Sequence, residues 1–223
     1  ALGADPEDPR VGRAAEALLE SLHPRFGGFA TTRRTPPSPC FTAQVCAALV
    51  RLGFGHHPRV REAVAWLGGL TGSWACPEER HHLGGVCAVT PVATLRLVSE
   101  HAPQERVRLA DLARRAGGYL LERGLFLSAP APRGWLAFAH PCVDRVDLLE
   151  ALVPLARLGW AGEPAILTAL LAVLARQDSG GRWTQQVATP FGEPSGQPGR
   201  WVTLKALVVL SAFGEALGAA ARG

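Results

Sequence analysis

Gln177-Asp178-Ser179-Gly180-Gly181-Arg182-Trp183 carries a pattern around which the rest of this sequence is arranged. A glutamine at the end of an apolar helix is followed by a glycine, one further residue and an aromatic ring. The Gly-x-aromatic part recurs as Gly27-Gly28-Phe29, Gly72-Ser73-Trp74 and Gly124-Leu125-Phe126. Such a repeat predicts helical hairpins, in which the glycine turns the chain and the aromatic ring fills the gap to the next hairpin.

Helix signals lie on both sides of each repeat. Proline stands at the expected first helical position in Asp8-Pro9, His57-Pro58 and Glu163-Pro164, and glycines follow the apolar runs. We therefore predict an all-α protein, with an α/α toroid-like arrangement of about four helical hairpins in an inner and an outer layer. The inner helices of these about eight main helices are expected at 42–53, 90–101, 143–159 and 203–214. The third outer helix is expected at 106–123, with an interruption near Gly117-Gly118.

The composition favours one domain over residues 1–223, because a chain of 223 residues with 48% hydrophobic residues can bury a single large core. The net charge of +4 comes from scattered arginines, which disfavours nucleic-acid binding. Acidic residues near the start disfavour a signal peptide, and the most apolar stretch, 165–175, is too short to span a bilayer. Five cysteines without a stapled pattern favour the cytoplasm. Peripheral contact with a membrane stays open.

The fourth repeat unit resembles a known superfamily. Gln177 with Gly181-Arg182-Trp183 is similar to the QW-type repeat of squalene-hopene cyclases and protein prenyltransferases, and Gly199 to Leu204 resembles the start of an inner helix there. The resemblance implies a toroid whose inner helices surround an apolar cavity for an isoprenoid. About eight helices are fewer than the roughly twelve of a closed family ring, so a partial or tightly closed ring, or a homodimer, is implied.

The resemblance also directs attention to acidic residues. Triterpene cyclases protonate an alkene with the middle acid of an Asp-x-Asp-Asp motif, and the nearest stretch here is Asp144-Arg145-Val146-Asp147, with valine at the place of that acid. Asp144 and Asp147 are the catalytic candidates, although this departure disfavours a standard cyclase. The alternative for both residues is capping of the helix that follows.

Protein prenyltransferases instead hold a zinc ion with aspartate, cysteine and histidine, which activates a substrate thiolate. The corresponding candidates precede two of the expected inner helices: they are Cys87, His140, Cys142, Cys76 and His82. None of their spacings is a tight Cys-x-x-Cys pair, and cysteine is also a common core residue. Cys46, on an apolar helix face, is interpreted as core.

Aromatic and basic side chains near the starts of the inner helices are candidates for substrate binding. Trp135 and Trp201 could line a cavity, whereas Trp74 and Trp183 belong to the repeat and are interpreted as packing. Arg133 and Arg200 could bind a diphosphate, and their alternative is a solvated loop arginine.

Two classes of function follow. The first is an isoprenoid-binding protein or enzyme of this superfamily, either without the standard cyclase acid or as a zinc-dependent prenyl-transfer enzyme. The second is a non-catalytic helical-repeat scaffold that binds another protein. A deep apolar cavity lined by Trp135 and Trp201 would favour the first class, and a filled core with an exposed apolar patch would favour the second.

Overall fold

The computed structural model describes residues 5, 7–32, 34–70, 74, 82–83, 86–128, 131–132, 134–142, 145–190 and 192–220. The described residues are mainly helical, which confirms the all-α prediction. Their helices are α1 (Pro9–Glu20), α2 (Pro39–Arg51), α3 (Pro58–Gly69), α4 (Val89–Glu100), α5 (Pro103–Arg108), α6 (Ala110–Leu121), α7 (Leu148–Arg157), α8 (Pro164–Leu174) and α9 (Arg200–Ala220). Two short 3-10 turns lie at Phe54–His56 and Gly124–Phe126. The layered toroid stays a prediction.

Two small antiparallel pairs are the only strands in the described part of the chain. β1 (His82–Leu83) pairs with β2 (Val86–Cys87), and β3 (Thr184–Gln185) pairs with β4 (Gln197–Pro198). No described helix combines the length and the apolar character that crossing a membrane requires.

The local signals place most helix ends correctly. Asp8 caps α1 by accepting a hydrogen bond from the Arg10 N–H at 2.8 Å, and proline occupies the first turn of α1, α2, α3, α5 and α8. Gly53 and Gly159 have φ values of 89° and 83° beyond the ends of α2 and α7, as expected for glycine after a helix. α7 begins at Leu148, later than expected, because Asp147 caps it.

The third outer helix differs from the prediction, because it is divided at Leu109 into α5 and α6 and not at Gly117-Gly118. α6 continues through Gly117, where an added Cβ would lie 1.9 Å from the Trp160 ring. This glycine therefore allows the Trp160 ring to lie against the helix backbone. The Gly117-Gly118 pair predicted a break in the helix. The structure instead explains Gly117 by its close packing against Trp160.

The chain forms two compact units, Ala1–Ala116 and Gly117–Gly223. In the first unit α2 packs against both α4 and α3, and Phe29, Leu49 and Leu97 lie in its buried core. In the second unit α7 packs against α9 and α8. The prediction of a single domain over 1–223 stays a prediction.

The repeat has the same closing geometry in its first and fourth copies. Phe29 and Trp183 are fully buried, and their backbone N–H groups donate to the Thr42 and Thr203 hydroxyls at 2.9 and 3.0 Å. Each aromatic residue also forms a β-bridge to the end of the preceding helix, Leu22 to Phe29 and Gln177 to Trp183. Leu22, and not the neighbouring His23, therefore occupies the glutamine position in the first copy.

The third copy closes with a different ring. The indole N–H of Trp135 donates to the Leu125 carbonyl at 2.6 Å, and that of Trp183 donates to the Val173 carbonyl at 2.7 Å. Both carbonyls lie ten residues before the indole that they accept from. Trp135 is 1% exposed and meets Phe126 edge-on, so it fills the core of the second unit. Phe126, which the sequence pattern selected, supports this ring.

Candidate functional site

A polar cluster in the second unit joins the start of α7 to the first turns of α9. Asp147 is its centre and is fully buried. One carboxylate oxygen accepts from the Glu150 N–H and the other from the Ala139 N–H, both at 3.0 Å. The first bond makes Asp147 the cap of α7, which is the role predicted for it as the alternative to catalysis.

Lys205 enters the same cluster from α9. Its ammonium group lies 2.6 Å from a Glu150 carboxylate oxygen and donates to the Ala139 carbonyl at 3.0 Å. The nearest Asp147 oxygen is 3.9 Å away. The side chains of Lys205 and Glu150 are only 11% and 14% exposed, so the ion pair is largely shielded from water. Lys205 therefore connects α9, α7 and the segment before α7.

Cys142 borders this cluster as a protonated thiol. Its sulfur donates to the Ala139 carbonyl at 3.2 Å and lies 3.6 Å from an Asp147 oxygen. Burial raises the pKa of Cys142 to about 12, and the charge of Asp147 adds to this effect. A thiol in this state is a weak nucleophile at neutral pH.

His140 and Trp201 form the solvent-facing edge of the site. Their rings stack with centroids 5.5 Å apart and an interplanar angle of 25°. The His140 carbonyl accepts from Thr189 at 2.9 Å, and the His140 N–H donates to Gln185 at 3.0 Å, so the backbone of this residue is fixed. Burial, and next the positive charge of Lys205, lower the pKa of His140, so its imidazole is neutral at neutral pH. Trp201 remains 44% exposed, which leaves its ring available to a ligand.

Arg200 is directed to a carboxylate at the start of α9. Its Nε lies 3.0 Å from one oxygen of Glu193, and the other oxygen accepts from the Trp201 N–H at 3.2 Å. Burial opposes ionisation of Glu193, but the hydrogen bonds from Arg200 and Trp201 outweigh it and lower its pKa. Glu193 thus caps α9 and neutralises the arginine that was expected to bind a diphosphate.

The remaining predicted site residues are distributed as follows. Trp135 lies in the core and not on a cavity surface. Cys87 is buried before α4, with its sulfur 3.7 Å from the Thr90 hydroxyl, and Cys46 is buried core as predicted. Cys76, Arg133, Asp144 and the side chain of His82 lie outside the described residues.

The zinc site stays a prediction. Within the described ranges, no three His, Cys, Asp or Glu residues are grouped so that they could hold a metal ion. Cys142 and His140 both border the Asp147 cluster, but the carboxylate of Asp147 already accepts two backbone hydrogen bonds.

Three residues of the cluster were not predicted from the sequence: Lys205, Glu150 and Gln185. Lys205 is the only lysine among 23 lysines and arginines, and this was the one available signal for it. The partners of Lys205 and Gln185 lie far away in sequence, so spacing could not reveal them.

Comparison with known proteins leaves the family open. The sequence matches no protein-family model and has no significant match among curated proteins.

The neutral state of His140 predicts a pH effect on stability. Because the folded-state pKa lies below the ordinary value of 6.5, the unfolded chain takes up a proton at a pH where the folded chain does not. The free energy of unfolding should therefore fall as the pH drops below that value. His140→Phe, which retains an aromatic ring beside Trp201, should lose less stability over the same range. The free energy of unfolding of the native chain and of His140→Phe, measured with denaturant at about pH 7.5, 6.5 and 5.5, tests this prediction. Equal losses of stability in the two chains would show that His140 is not the cause.

Proposed function

We propose that this chain binds an isoprenoid along the exposed face of α9, as a QW-type member of the terpene cyclase and prenyltransferase superfamily. The observation that carries the proposal is an apolar stripe on one side of that helix. Trp201, Leu204, Leu207 and Val208 are 44%, 50%, 50% and 45% exposed, whereas Val202, Ala206 and Val209 on the opposite side are buried.

The stripe has the dimensions and chemistry of a site for an apolar chain. Residues 201 to 208 cover about 10 Å along the helix axis, because each helical residue rises about 1.5 Å. Branched aliphatic side chains and an indole face suit the methyl branches and double bonds of a prenyl chain. Covering them would remove apolar surface from water, at about 25 cal/mol per Å². Continuous exposed apolar surface of this kind marks binding sites.

The polar end of the ligand would lie at the start of α9. The neutral imidazole of His140 beside Trp201 offers a hydrogen-bonding group without a charge. Arg200 is already paired with Glu193, so this end favours an alcohol over a diphosphate head group.

Equilibrium dialysis with farnesol tests the proposal. We expect saturable binding to the native chain, and Trp201→Ala combined with Leu204→Ser should weaken it at least about ten-fold through loss of apolar contact. Leu171→Ser on α8 is the matched control, since Leu171 is 58% exposed and lies outside the stripe. Equal affinity in the double variant and the control would place the ligand elsewhere, and absence of saturable binding to the native chain would overturn the proposal.

The helical-repeat scaffold is the second candidate. It is favoured by the two features that were expected of this class, a filled core, in which Trp135 is buried, and exposed apolar surface, of which α8 carries a further face. Leu167, Leu171 and Leu174 are exposed at helical spacing there. A helical-repeat scaffold could use this face to contact another protein. If the chain is such a scaffold, farnesol does not bind. Leu171→Ser then changes the association of the chain in sedimentation velocity, whereas Trp201→Ala does not.

A further inference from the structure

A cavity of about 550 Å³ lies within the first unit. Its walls come from α3 on one side and from α5 and α6 on the other, and the ends of α2 and α4 contribute to it. The ends concerned are the C-terminal ends of α2 and α4. The site predicted from the sequence lies at the N-terminal ends of the inner helices, so this cavity is a different place. The volume is in the range of pockets that hold small organic ligands.

The lining combines an apolar part with charged groups. Val50, Val64, Ala65, Leu109 and Leu112 supply aliphatic surface. A ligand that fits this surface therefore carries a hydrocarbon portion of moderate size.

The carboxylates of the lining are neutralised by arginines, two of which lie outside it. Glu100 is 3.8 Å from Arg51, and Asp111 is 2.7 Å from Arg114. Neither Arg51 nor Arg114 lines the cavity, although Glu100 and Asp111 do. Arg51 and Arg114 thus partly offset the negative charge that these carboxylates would present to a ligand.

The formal charge of the lining is balanced, with three arginines and three carboxylates, and its one charged side chain without an ion-pair partner in the described structure is an arginine. Arg108 and Arg115 line the cavity and lie 3.1 Å from Glu105 and Asp111, while Arg61 has no ion-pair partner among the described residues. Arg61 is exposed on α3, next to Val64 and Ala65 of the apolar part. A guanidinium beside aliphatic surface suits a ligand with an anionic head and an apolar tail.

We propose that this cavity is a binding site for a small anionic amphiphile, with Arg61 contacting the head group and the aliphatic lining contacting the tail. The site is independent of the isoprenoid site proposed on α9. It shares no residue with that stripe, so either proposal can fail while the other stands.

Calorimetric titration with decanoate and decylammonium tests this site, because the two probes have the same chain length and opposite charge. We expect one decanoate site per native chain and at least about ten-fold weaker binding of decylammonium, since Arg61 can donate a charge-assisted hydrogen bond to the anion and repels the cation, whereas the carboxylates of the lining already have arginine partners. Arg61→Gln should weaken decanoate binding by a similar factor. Ala65→Trp should abolish it by filling the cavity from an exposed position on α3.

Control variants show whether decanoate binds in the cavity or elsewhere on the chain. Arg13→Gln removes an exposed arginine of α1 that has no ion-pair partner in the described structure, and it should leave decanoate binding unchanged. Trp201→Ala should also leave it unchanged, and Ala65→Trp should leave farnesol binding unchanged. Equal binding of the two probes, or native decanoate affinity in Ala65→Trp, would overturn the proposal.

Discussion

Lys205→Met is expected to lower the free energy of unfolding by about 3 kcal/mol, because it leaves a shielded carboxylate without its closest cation. The ammonium group lies 2.6 Å from Glu150, which is 14% exposed, and 3.9 Å from Asp147, which is fully buried. Methionine retains much of the packing of the lysine chain, so the loss reports mainly the charge. The Ala139 carbonyl also loses the hydrogen bond that Lys205 donates.

A double-mutant cycle with Glu150→Gln separates the ion pair from general damage. In the Lys205→Met background, Glu150→Gln should restore part of the lost stability, because it removes the carboxylate charge that Lys205 had offset. Far-ultraviolet circular dichroism in urea measures all four variants. A loss for Lys205→Met within about 0.5 kcal/mol, the range of ordinary surface substitutions, would show that the pair contributes little. Equal losses in the two Glu150 backgrounds would show that the effect does not come from the pair.

Helix ends were the most predictable part of this fold, because their signals are local. Pro9, Pro58 and Pro164 each stand at the start of a helix, and Gly53 and Gly159 follow helices with positive φ. A capping side chain or a fixed φ angle acts within a few residues, whatever the tertiary context. The exception, Gly117, has a tertiary cause, since the Trp160 ring occupies the place of a side chain.

The choice of the closing ring in the third repeat could not be predicted in the same way. Phe126 fits the Gly-x-aromatic pattern, but Trp135 makes the indole hydrogen bond that Trp183 makes in the fourth repeat. A one-dimensional pattern does not show which of two nearby aromatic rings reaches the core. The same limit applies to Lys205 and Glu150, whose contact depends on the packing of α7 against α9. Trp201, which was expected to line a cavity, is 44% exposed at the start of α9, and its role in ligand binding stays a prediction.

Trp183→Ala is expected to cost about 4 kcal/mol of unfolding free energy, the largest effect of any change to the repeat. The ring is fully buried, and its N–H donates to the Val173 carbonyl at the end of α8. Its backbone N–H reaches the Thr203 hydroxyl in α9, so the residue connects two helices. Removing the ring would leave a cavity between them and take away one of the two hydrogen bonds that the Val173 carbonyl accepts, the other coming from the Arg176 N–H at 3.1 Å. Chemical denaturation followed by circular dichroism measures the loss.

Two further substitutions show whether the cost comes from the ring or from its hydrogen bond. Trp183→Phe retains an aromatic ring and removes the N–H, so it should cost about 1–2 kcal/mol, from the loss of one hydrogen bond and of part of the ring's packing. Trp201→Ala removes the same side chain at a position that is 44% exposed, and it should cost less than about 1 kcal/mol. The two substitutions should thus have different effects. Loss of Trp183 lowers the stability of the fold, whereas loss of Trp201 weakens farnesol binding in a chain of near-native stability. Similar stability losses at the two positions would contradict this division, because they would show that Trp201 also holds the fold together.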